Sequence, residues 1–137
     1  MANSFSKIKF TLEGGLAIWL LNETGGNSVK GEVVEVSTTV DEAVKQALAD
    51  SDAPMGITYT AGIAEHAGMW IVIIGIVEIL ADAGGFARHN RLITSSTAGR
   101  ADVWDVGGAV ATHFQEIGHA IGTAAANGLG LAVLHWN

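Results

Sequence analysis

From Met55 to the end, this chain is a succession of short apolar runs cut apart by glycine. The runs are Gly56 to Tyr59, Met69 to Ile74, Ile76 to Leu80, Arg91 to Thr94, Ala101 to Trp104, Glu116 to Ile121 and Leu129 to Trp136. Gly62, Gly68, the pair Gly84 and Gly85, Gly99 and the pair Gly107 and Gly108 separate them. Val and Ile favour a pleated, half-buried surface, and glycine supplies the turns. Many short strands with glycine turns predict a small antiparallel barrel or sandwich. The last two runs read as a hairpin turning at Asn127 and Gly128. Gly75, inside an apolar run, reads as a bulge or corner rather than a turn.

The first part of the chain is more mixed. Phe5 to Leu12 alternates, with Ile8, Phe10 and Leu12 on one face and Lys7 and Lys9 on the other. That pattern fits an edge strand or an extended arm laid on a neighbour's sheet. Leu16 to Leu21 and Lys30 to Ser37 read as further strands around a turn containing Gly25 and Gly26. Thr39 to Ala49 is the one helical expectation. Thr39 and Glu42 have capping-box spacing, and Val40, Ala43, Val44, Ala47 and Leu48 recur at helical intervals. Pro54 closes that segment. Ala109 to Gln115 could add a single helical turn. The fold class expected is mostly β, a small antiparallel β-barrel or sandwich with one short helix. It forms a single domain, with residues 1–30 as an N-terminal arm or edge strands and residues 31–137 as the barrel-like body.

Composition excludes several functions. There is no Cys among the 137 residues, which removes disulfides, thiol catalysis and cysteine zinc sites. Fourteen acidic residues against seven basic ones give a net charge of −7 and no basic patch, so no nucleic-acid partner is expected. The longest apolar window, Met69 to Leu80, is interrupted by Glu78 and falls well short of the roughly 20 residues of a spanning helix. No membrane partner is expected, and the first eleven residues lack the apolar run of a signal peptide. With 49% hydrophobic and 15% charged residues, the chain is apolar for its size, which predicts surface buried between subunits ahead of an unusually large core.

Catalytic signals are weak. His113, Glu116 and His119 invite a metal-assisted hydrolase, but the two histidines are six apart. Six positions put them on different faces of a helix, and in a strand about 20 Å would separate them. The expectation is therefore no metal, no cofactor and no catalytic residue. No serine sits in a nucleophile elbow, and no glycine pair opens a phosphate loop. Arg88 and Arg91 read as solvated side chains or partners for acids on a neighbour. Among Trp19, Trp70, Trp104 and Trp136, the last two are the candidate subunit anchors. The candidate interface is thus Ile8, Phe10, Leu12, Trp104 and Trp136.

Several blocks, taken in order, resemble one family. They are Thr39 to Val44 (TVDEAV), Asp52 to Ile57 (DAPMGI), Gly75 to Leu80 (GIVEIL), Thr94 to Ala101 (TSSTAGRA), Gln115 to Ala120 (QEIGHA) and Val133 to Asn137 (VLHWN). Together they resemble the small capsid cement, or head decoration, proteins of tailed bacteriophages. The resemblance spans about Gly31 to Asn137. It implies a non-enzymatic virion protein, made in the host cytoplasm, that binds the outer capsid surface and holds joints between major capsid subunits. It also implies self-association, a homotrimer ahead of a dimer. The rival reading is a small β-barrel module for a sugar or peptide, with a pocket lined by Trp and His.

Overall fold

The computed structural model describes residues 6–105 and 113–136. Its strands are β1 (Ile8–Phe10), β2 (Gly15–Asn22), β3 (Val33–Val36), β4 (Ala43–Gln46), β5 (Gly56–Thr58), β6 (Gly68–Leu80), β7 (Arg91–Thr94), β8 (Ala101–Val103), β9 (Glu116–Ala120) and β10 (Leu129–Leu134). A single 3-10 turn, His113–Gln115, precedes β9. The expected mostly β class is what the chain adopts. Of the possible helical turn over Ala109 to Gln115, positions 109–112 lie outside the described residues.

All ten strands join one sheet in the order β1-β2-β4-β3-β5-β6-β10-β9-β7-β8, with β2 also paired to β6. That extra pairing closes β2, β4, β3, β5 and the first part of β6 into a ring. A parallel bridge between Ala81, just past β6, and Ala101 of β8 draws β6, β10, β9, β7 and β8 into a second ring. Some links are short: β2 meets β4 over two residue pairs, and β5 meets β6 over two. The result is sandwich-like rather than a clean barrel, with β6 shared by both halves.

Strand β6 can serve both halves because of how it bends. Its residues 69–74 and 76–80, expected as two strands, form one continuous strand of 13 residues. Two features turn it. Against β2 the register passes from Leu16 with Ile74 to Ala17 with Val72, leaving Ile73 as an extra bulged residue. Two positions on, Gly75 has φ +88°, and a Cβ there would strike the Gly14 carbonyl. Bulge and glycine together kink the strand where one ring hands over to the other.

Two apolar clusters fill the halves. Val34, Val44, Met69 and Ile71, with Ile18, Leu20, Met55, Ile63 and Ile73 around them, draw on β2, β3, β4 and β6. Gly56 of β5 lets the Ile71 side chain approach its backbone, so this cluster occupies the first ring. Val77, Ile79, Leu92, Ala101, Ile117, Ala132 and Leu134 belong to the larger cluster, which also takes in Ala17, Val33, Ile57 and Val72.

The helix expected over Thr39 to Ala49 is not there. Ser37 Oγ accepts from the Thr39 and Val40 amides, Glu42 reverses the chain at φ 53°, and Ala43 to Gln46 run as β4. Helical period alone could not hold three turns without a packed partner. A strand could do more. Lys45 lies directly opposite Glu35 on β3, 2.8 Å from its buried carboxylate, and Val44 enters the first ring. Glu42 makes no capping box and meets Lys7 at 3.3 Å instead.

Candidate functional site

The candidate interface residues fall into two groups. Ile8 and Phe10 stand on β1, which pairs with β2 of its own chain through Ile8 with Ile18 and Phe10 with Leu16. The segment therefore lies as an edge strand on its own sheet. Lys9, on the opposite face, sits over the Trp70 ring at 4.7 Å and the Tyr59 ring at 5.3 Å. Trp70 in turn meets Trp19, its cross-strand partner, edge-on at 5.1 Å. One face of β1 is thus anchored by a cation over aromatic rings. The other face projects outward, with Ile8 56% exposed and Phe10 84%, and Leu12 in the turn that follows is 98% exposed. Leu16 and the exposed Ile74 continue that apolar face across β2 and β6. Leu131 and Val133 on β10 are exposed as well.

Trp104 and Trp136 are half-buried in their own chain. Trp136 packs on the larger core cluster and donates its indole N–H to the Ile73 carbonyl at 2.6 Å. That carbonyl belongs to the bulged residue of β6, so the indole satisfies an acceptor next to the handover between rings. Trp136→Phe should keep the packing and lose this bond, lowering stability by about 1 kcal/mol or somewhat more. Urea denaturation of the two proteins measures the difference. Trp104 lies under the Arg91 guanidinium at 5.3 Å and edge-on to His113 at 4.9 Å.

That contact leads to a cluster the sequence spacing did not reveal. Glu116 is 2% exposed. Its Oε2 is 3.2 Å from His113 Nδ1, and its Oε1 is 3.4 Å from both His135 Nδ1 and Arg91 Nε. His119 joins through His135, with ring centroids 5.7 Å apart. A β-bulge brings these groups together. Between β7 and β9 the register goes from Arg91 with His119 and Leu92 with Gly118 to Ile93 with Glu116. Ile117 is the extra residue. Positions 116 and 119 would face opposite sides of a regular strand; the bulge restores them to one side. Arg91 shares that side and meets Glu116 within its own chain. His135 comes from the adjoining chain past β10, where its amide donates to the Ile117 carbonyl at 2.7 Å. The objection from spacing therefore does not apply to the folded chain, although the histidine next to His119 is His135, not His113.

Burial pushes the Glu116 carboxyl up, but hydrogen bonds with His113 and His135 and the Arg91 charge outweigh it and hold the group below the ordinary 4.5. A carboxyl depressed in the folded state stabilises the protein above its unfolded value and loses that contribution as pH falls through the folded one. Wild type should therefore lose stability on acidification below about pH 4.5, and Glu116→Gln should flatten that dependence. Denaturant titrations at neutral pH and near pH 3 test this; equal pH slopes in the two proteins would contradict it.

No protein-family model matches the chain, and no curated protein matches it. A solved structure does. The chain is similar to the head fiber gp8.5 N base of bacteriophage phi29, with a TM-score of 0.57. The match covers 87% of this chain and 92% of the phi29 chain at 13% identity, so it speaks to the fold. Coverage on that scale includes both halves of the sheet rather than one motif.

Proposed function

We propose that this chain is a structural protein of a phage virion that seats on the outer capsid surface and stabilises joints between major capsid subunits. The observation that carries the reading is the fold shared almost end to end with the base of a phage head fiber. The cement-protein resemblance of sequence blocks within residues 31–137 points the same way. The exposed Ile8, Phe10 and Leu12 supply the surface such a role requires, because a soluble chain gains by covering side chains of this size. The mechanism is mechanical. Burial of this apolar face across a joint adds free energy that internal pressure must overcome to open it. The apolar excess favours self-association, and the cement-protein resemblance places a trimer before a dimer. No catalytic residue takes part.

Co-sedimentation of the purified protein with DNA-filled heads of its own phage tests the binding, and light scattering tests the assembly state. Saturable binding at a fixed ratio to the major capsid protein is the expected result. Absence of binding to filled heads would refute the reading.

A further inference from the structure

We propose that Glu116, His119 and His135 form a binding site for a divalent transition metal of the zinc type. Their donor atoms all lie within 4.8 Å of one another. Tetrahedral zinc with bonds of about 2.0–2.1 Å spaces its ligand atoms about 3.3–3.4 Å apart. Glu116 Oε1 and His135 Nδ1, at 3.4 Å, already span such an edge. The remaining closure falls to His119, whose side chain is partly exposed.

Two of the three donors stand on a strand, and the third directly follows one. Glu116 and His119 stand on β9, aligned by the Ile117 bulge. His135 is fixed by its backbone bond to Ile117. Sites on strands hold their geometry better than sites on loops. His113, on the other carboxylate oxygen, orients Glu116 from behind, an arrangement that tunes a ligating carboxylate. Two imidazoles and one carboxylate select zinc-like ions over calcium or magnesium, which prefer all-oxygen shells. Such an ion would pin the segment after β10 to β9, a structural role that needs no chemistry. The Arg91 guanidinium, 3.4 Å from Oε1, opposes a second cation and should temper the affinity.

The test is calorimetric titration of the metal-free protein with zinc chloride, with cobalt absorption as a readout of coordination. One ion per chain is expected, with tetrahedral cobalt bands. Affinity should fall at least tenfold in His119→Ala and in His135→Ala and stay unchanged in His66→Ala, which removes a histidine of the separate Glu23, Glu65 and His66 group. Thermal melts confirm that the variants fold; His119→Gln and His135→Gln replace any that do not. No saturable zinc binding, or binding insensitive to both His119 and His135, would overturn the proposal. Because the isolated protein is measured, the outcome is independent of capsid binding.

Discussion

Gly118→Ala is expected to destabilise the protein by about 3 kcal/mol or more, lowering its melting temperature by about 10 °C or more. Gly118 lies on β9 between Leu92 of β7 and Leu134 of β10. A methyl group there would overlap the carbonyl of Val133 in the adjacent strand, a backbone atom that cannot rotate away. Strand β10 would have to leave β9, and His135 would lose its bond to Ile117. For a domain stabilised by about 5–15 kcal/mol in all, this is a large fraction. Gly25→Ala or Gly62→Ala, where a Cβ meets nothing within 4 Å, should pay only the backbone strain of a positive φ. Differential scanning of the three variants ranks them. A Gly118→Ala protein that melts within about 2 °C of wild type would refute the packing described for the second ring.

The second large effect lies on β1 and the turn that follows it. Phe10→Ser with Leu12→Ser removes two of the most exposed apolar side chains while leaving the pairing of β1 with β2 intact. Neither packs in the core clusters, so the melting temperature should hardly change. If both are buried on the capsid, each contributes about 1.5–3 kcal/mol. Their joint loss should weaken head binding at least about a hundredfold. Titrating the variant against filled heads gives the number. Undiminished affinity would remove β1 from the interface.

Most strands were legible where residue type and glycine spacing agreed. Leu16 to Leu21, Arg91 to Thr94, Ala101 to Trp104, Glu116 to Ile121 and Leu129 to Trp136 each correspond to a strand within a residue or two at most ends. The turn at Asn127 was legible as well, and its φ of 57° is the left-handed value that Asn tolerates. Thr39 to Ala49 misled because a short apolar run fits a helical and a pleated period at once. What decided it was Glu35, a residue on another strand. The same limit hid the Glu116 cluster. Counting from His113 to His119 assumes one regular element, whereas a bulge at Ile117 and a residue just past β10, His135, assemble the group. Ring closure through the pairing of β2 with β6 is also long-range, and no local pattern in either strand announces it.

If the chain belongs to a phage virion, as proposed, electron microscopy of that particle tests the central claim most directly. The account predicts density matching the ten-stranded fold on the outside of the head, across joints between major capsid subunits, with the Phe10 and Leu12 face turned toward the shell. A particle in which this protein is absent from the outer head surface would contradict it.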